Sequence, residues 1–228
     1  MQHKFLNLFQ IPLSQLLEKI RSDFTYTYDF AKHRIELQNN RDEPGGFVRL
    51  PLAISLDKNL NVLSENNIIL YLSIESGKAA LIVMHRKETL YHTTFSAYMT
   101  RKKQGFSQIK YLKKKGKSRA GSRVRLAATL DFFESINNKT KDLFDQHNFS
   151  RIALNCSTTL IPFLYQSKVP PPFKKNDSRL YKIPVHISNS NYKSLESAIK
   201  KLIAPTLFYK EEFQSDFEVF FELLKKGL

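Results

Sequence analysis

The chain has 228 residues, 42% of them hydrophobic, which supplies a core for one substantial domain or two small ones and excludes disorder throughout. Its longest apolar run, the six residues Ala79–Met84, is far short of the roughly 20 that a membrane-spanning helix needs, so the expectation is a soluble, untargeted protein with no membrane partner. A formal net charge of +15 biases the chain towards anionic partners, nucleic acid first, and its single cysteine, Cys156, excludes an internal disulfide and a cysteine-rich zinc site.

In chain order, Leu13, Leu16, Leu17 and Ile20 follow helical spacing and predict a short amphipathic helix over Pro12–Ser22, with Pro12 suited to its first turn. The polar "QNNRDEPGG" reads as a connection. "FVRLPLAISL", "NIILYLSIE", the continuous apolar "KAALIVMH" and the Thr- and aromatic-rich "TLYHTTFSAYM" read as strands. Turns at Ser73–Gly77 and Arg86–Glu88 join the last three into an antiparallel meander.

The period changes after residue 122. Ser122 is a candidate N-cap, and Val124, Leu126, Ala127, Leu130, Phe133, Ile136 and Phe144 predict a long helix over Arg123–Gln146. Then follow "RIALNCS" as a buried strand, "TTLIPFLYQS" as a helix, "VPPPFKK" as a rigid turn, "LYKIPVHIS" as a strand and "NYKSLESAIKKLI" as an amphipathic helix starting near Asn191. A last helix over Glu211–Lys226 sets Phe213, Phe217, Phe220, Phe221 and Leu224 on one face, which is expected to dock on the protein's own body. Strands first, then alternating helices and strands, predict an α/β fold: a mixed sheet with helices packed on it.

Between the meander and the long helix lies "TRKKQGFSQIKYLKKKGKSRAGSRVR", Thr100–Arg125. It holds eleven cations and no Asp or Glu: Arg101, Lys102, Lys103, Lys110, Lys113, Lys114, Lys115, Lys117, Arg119, Arg123 and Arg125. The rest of the chain carries only +4. At about 20 residues, Thr100–Gly121 is too long for an ordinary connection in a compact domain. Half of such a loop reaches on the order of 30 Å at about 3.3 Å per residue, enough to enter a narrow anionic cleft. Phe106 and Tyr111 stand within the basic run, where aromatic rings stack on unpaired bases. By these residues alone, a solvated basic loop with no specific task and a plain nucleic-acid tether both remain open.

"RKKQGFSQ", then a Lys-rich spacer, then "AGSRVR" opening a long helix, resembles the catalytic loop of the Vms-like release factors. These are ribosome-rescue relatives of the middle, Gly-Gly-Gln-bearing domain of eukaryotic and archaeal class I peptide release factors. Arg101, Lys102, Lys103 and Gln104 match the basic strand end, Gly105 and Gln108 the Gly-x-x-Gln, Ala120, Gly121 and Ser122 the Ala-Gly-small segment, and Arg125 the start of the helix. "HTTFSAY" resembles the family's preceding strand, and the likeness runs from about Leu70 to Phe208. The chain departs from the pattern at Phe106 and Ser107, where many relatives or true termination factors have glycine, and at Leu126 and Thr129, where relatives often have arginine and glutamate.

The resemblance implies release of nascent chains from peptidyl-tRNA on obstructed large ribosomal subunits, in the cytoplasm and without a cofactor. The catalytic residues would be Gly105, Ser107 and Gln108, with the eleven cations on RNA phosphates and Phe106 and Tyr111 as base-stacking groups. Relatives use either water attack on the peptidyl ester, in the manner of a peptidyl-tRNA hydrolase, or cleavage near the tRNA 3′ end. An amide does not titrate near neutral pH, so Gln108 would orient water and donate hydrogen bonds to charge developing on oxygen. The competing reading is a non-catalytic ribosome- or RNA-binding protein that uses the same loop.

The remaining motifs are weak. The six histidines, with Cys156, show no metal-ligand spacing, and "SGKAAL" lacks the other elements of a phosphate-binding loop. The expected organisation is an N-terminal region over 1–66, a release-factor-like catalytic domain over 67–208, and a C-terminal helix over 209–228.

Overall fold

The protein is described by a computed structural model covering residues 4–38, 43–97 and 120–226, without the side chains of residues 120–126 and 226. The first elements are β1 (Lys4–Asn7), α1 (Leu13–Asp23), β2 (Tyr26–Asp29), β3 (Arg34–Gln38), β4 (Pro44–Arg49), β5 (Ser55–Leu56) and β6 (Val62–Ser64). The meander follows as β7 (Ile68–Glu75), β8 (Lys78–His85) and β9 (Glu88–Ser96). The chain continues with α2 (Ala120–Gln146), β10 (Phe149–Cys156), α3 (Ile161–Gln166), β11 (Leu180–Lys182), α4 (Tyr192–Lys200), β12 (Thr206–Tyr209) and α5 (Glu218–Lys226). Two compact units result, one of residues 1–67 with 199–228 and one of residues 68–198.

The first unit is a five-stranded antiparallel sheet in the order β1-β12-β4-β3-β2. One face buries Leu37, Val48 and Leu207 against Leu16, Leu17 and Ile20 of α1 and Phe217 and Phe220 at the chain's C-terminal end. Gly46 sits beneath that packing: a Cβ there would stand 2.5 Å from the Phe208 carbonyl oxygen and 3.1 Å from the Phe217 ring. The β2–β3 turn places His33 at φ 49°, fully buried. Its Nε2–H donates to the Pro51 carbonyl at 2.9 Å, which leaves Nδ1 to accept from the Tyr28 hydroxyl at 2.8 Å.

Here the structure departs from the expected organisation. Thr206–Tyr209, read from the sequence as the end of the catalytic domain, pairs with β1 and β4 in the first unit. The C-terminal segment is not one helix from Glu211: Glu211–Phe213 and Ser215–Phe217 are 3₁₀ turns, and α5 begins only at Glu218. The tighter turns bring Phe217 and Phe220 together under the sheet, where both are fully buried and stack on Phe24 at 5.7 and 5.3 Å.

The second unit confirms the α/β reading: a mixed sheet in the order β11-β10-β7-β8-β9 with helices packed on it. β7, β8 and β9 form the antiparallel meander, while β10 runs parallel to β7 and β11 parallel to β10. The turns fall at Ser76–Gly77, with Gly77 at φ 80°, and Arg86–Lys87, with Arg86 at φ 55°. "SGKAAL" is therefore a hairpin turn and the start of β8. Residues of even number in β7 (Leu70, Leu72, Ile74) pack on Phe132, Phe133 and Ile136 of α2 and Leu164 of α3. On the other face Ser73 Oγ meets Ser190 Oγ at 2.8 Å and accepts the Asn155 amide at 2.9 Å. Asn191 then caps α4 by accepting the Ser194 N–H at 2.9 Å. β11 is shorter than "LYKIPVHIS" suggested, because Pro184 has no N–H to continue the ladder.

Candidate functional site

The basic segment connects an edge strand to a long helix. β9 is the last strand of its sheet, and its alternation turns Tyr91, Phe95 and Ala97 towards the core beneath α2. The strand's end is fixed by the Ala97 N–H donating to the Gly77 carbonyl at 2.9 Å. Across from it, α2 contributes Phe132 and Phe133, edge to face at 5.2 Å and both buried. Where strand end and helix converge, Phe95, Ser96, Ala97, Ala128, Asp131, Phe132 and Ser135 line an open depression of about 320 Å³. The strand end and the body of α2 from Thr129 onward are thus packed, a support on which a functional loop can be carried.

The expected catalytic residues Gly105, Ser107 and Gln108, the stacking candidates Phe106 and Tyr111, and the cations Arg101, Lys102, Lys103, Lys110, Lys113, Lys114, Lys115, Lys117 and Arg119 lie outside the described residues. Arg123 and Arg125 occupy the first two turns of α2, which begins at Ala120, three residues before the expected start. Only the backbone of these two arginines is described.

The division into units sharpens the charge argument. The first unit is neutral, with 13 cations and 13 acids. The second holds 23 cations against 8 acids and so carries the whole net charge of +15. No Asp or Glu stands between Glu88 and Asp131, an acid-free span that takes in most of β9, the loop and the start of α2. An anionic partner is attracted to one unit, and within it to this span.

Among the described residues, Cys156 does not compete as a nucleophile. Burial pushes the Cys156 thiol up to about 12, and the half-buried group packs beside the core with its S–H directed to the Ser157 carbonyl at 3.6 Å. A thiol held neutral in this way is a packing residue and not a nucleophile. His92 meets the Tyr192 ring at a tilt, 4.5 Å between centroids, and His147 meets the Phe149 ring edge-on at 5.8 Å.

A family model described as Bacteroidetes VLRF1 release factor matches residues 69–209, from the second residue of β7 to the last of β12. The chain belongs to this release factor family. The matched span includes the whole acid-free stretch and agrees with the Leu70–Phe208 extent expected from the loop residues. Among solved structures, one titled "Vms1 mitochondrial localization core" is similar with a TM-score of 0.48 and 13% identity, covering 88% of this chain and 95% of that chain. No curated protein matches. Release-factor activity, the freeing of a nascent chain at the ribosome, is in general terms the activity of this family.

Proposed function

We propose that this release factor frees nascent chains from peptidyl-tRNA stranded on obstructed large ribosomal subunits, with Gly105-x-x-Gln108 as the reacting end of its basic loop. The observation that carries the reading is a Gly-x-x-Gln set in an acid-free basic span, within the family-matched region, between a packed strand and a packed helix. The cations Arg101 to Arg125 take up RNA phosphates and carry the loop into the subunit, positioning it without reading sequence. Gly105 gives the backbone the freedom to present the loop's tip.

In the hydrolytic route, water attacks the carbonyl carbon of the peptidyl ester. A new C–O bond forms, the bond to the tRNA ribose oxygen breaks, and a proton passes to that oxygen. The Gln108 side-chain carbonyl orients the water, and its amide N–H groups, with the backbone N–H, donate to the oxygen on which charge develops. Because an amide does not titrate near neutral pH, Gln108 adds no ionisation of its own to the pH–rate profile. Ser107 and Phe106, beside it, shape the approach, Phe106 by stacking on an unpaired base. The test is release from purified large subunits carrying peptidyl-tRNA, with the 3′ end of the freed tRNA sequenced. An intact CCA end supports ester hydrolysis; a shortened end makes the reaction a cleavage of the tRNA itself.

A further inference from the structure

A second basic stretch lies among the described residues of the same unit, and its sequence, "KVPPPFKKNDSR" from Lys168 to Arg179, looks at first like a plain proline-rich turn. Four of its twelve residues are cations and its one acid is Asp177. Asp177 is already neutralised: Arg179 Nε and Nη2 reach its two carboxylate oxygens at 3.0 and 2.7 Å. The exposed charges left are those of Lys168, Lys174 and Lys175.

What distinguishes this turn from a solvated run of lysines is the way its backbone is fixed. Asn137, fully buried on α2, donates its amide to two carbonyls at 2.8 Å each, Leu164 O at the end of α3 and Val169 O beside Lys168. Pro170, Pro171 and Pro172 hold φ near −65° through the next three positions. Phe173 is then buried against Phe144 at 6.0 Å and Tyr165 at 6.1 Å. The Tyr165 hydroxyl donates to the Lys174 carbonyl at 3.4 Å, and the Lys175 ammonium lies 5.4 Å over the Tyr165 ring. Lysines on such a frame meet an anion without first ordering the chain, so their binding energy is not spent on backbone entropy.

We propose that Lys168–Arg179 is a second, pre-ordered phosphate-binding surface for RNA, set apart from the basic loop along α2. Its anchors Asn137 and Phe144 stand about 25 and 36 Å from Ala120, at 1.5 Å per helical residue. The protein thus holds RNA at two separated points on one unit, the basic segment that carries Gln108 and a fixed turn. The turn reads phosphate and not bases, because its own ring, Phe173, is buried and the neighbouring Tyr165 has its hydroxyl engaged. The proposal rests on the reading that this release factor acts on ribosomal or transfer RNA.

The test measures binding of the full chain to purified large ribosomal subunits and, separately, to free tRNA, over a range of salt. One variant carries Lys168→Gln, Lys174→Gln and Lys175→Gln; a second carries arginine at the same three positions; a third carries Lys113→Gln, Lys114→Gln and Lys115→Gln in the loop. At about 0.7 per phosphate contact, the turn-neutralised variant loses about 2 from the slope of log affinity against log salt, and the arginine variant keeps the wild-type slope. Loss on subunits alone assigns the surface to ribosomal RNA, and loss on tRNA alone assigns it to tRNA. An unchanged slope on both, with the loop variant still losing slope, overturns the second surface and leaves the proposed function standing. If the loop variant loses no slope either, the RNA reading beneath both proposals fails.

Discussion

Asn137→Ala removes one side chain and two hydrogen bonds. Both carbonyls it serves, Leu164 O and Val169 O, accept at 2.8 Å, and Asn137 itself is fully buried. Leaving a buried polar group without its partner costs about 1–3 kcal/mol. The space vacated by the amide admits a water that recovers part of the loss, so the pair together is worth about 2–4 kcal/mol. The damage is local, because the two carbonyls sit at the end of α3 and at the start of the proline turn. Two measurements follow from this. In urea, the transition of the variant shifts to lower denaturant with an unchanged slope. In native buffer, trypsin nicks the chain at Lys168 and Lys174 faster: at 2 kcal/mol the increase is about 30-fold where cleavage follows local opening. Asn137→Asp is worse than alanine, since a carboxylate faces two carbonyl oxygens and donates nothing to either. A destabilisation below about 0.5 kcal/mol with unchanged nicking refutes the claim that Asn137 fixes the turn.

Gly46→Ala drives a methyl group against the Phe208 carbonyl and the Phe217 ring, so the first unit loses at least about 2 kcal/mol by urea denaturation; a neutral effect contradicts the packing described for it. Arg179 holds the Asp177 carboxyl below the usual carboxylate range, and a lowered pKa gives stability that is present above the ordinary aspartate value of about 3.9 and is lost as pH falls through the folded value. Asp177→Asn is therefore less stable than wild type at pH 7, and the gap narrows as pH drops below about 4; a gap that does not narrow on acidification excludes this ion pair as its source. Cys156, with its thiol raised to about 12, reacts with a disulfide reagent at neutral pH on the order of 10³ times more slowly than a free cysteine of ordinary pKa, and ordinary reactivity in the folded protein contradicts the packing assigned to it.

The part of the fold that is local was legible in the sequence. β7 and β8 were visible as apolar runs of strand length, β8 with the same ends as "KAALIVMH", and the two-residue turns between them and β9 left only one way to pair. The long helix was visible in its apolar spacing, though its start fell at Ala120 because Ala120–Ser122 continue the helix instead of capping it. What escaped is what depends on distant pairing. β1 and β12 are four residues each, too short to carry a periodic signal, and β12 is placed between β1 and β4 by partners about 160 and 200 positions away. Phe217 and Phe220 looked like one face of a long helix, and only the first unit's core shows why two tight turns precede α5. The candidate site was legible as composition, eleven cations without an acid around Gly105-x-x-Gln108. The turn at Lys168–Arg179 was not, because its backbone is fixed by Asn137 and Phe144, residues of another helix.

The central claim is that one uncharged amide at the tip of a basic loop does the chemistry. The most direct measurement is single-turnover release of nascent chains from purified large subunits carrying peptidyl-tRNA, with wild type and Gln108→Ala compared at saturating protein. Loss of one positioned donor at a developing oxyanion costs about 10²–10³ in rate, and the account predicts a loss of that size with binding to the subunit unchanged. Release by Gln108→Ala at the wild-type rate contradicts it.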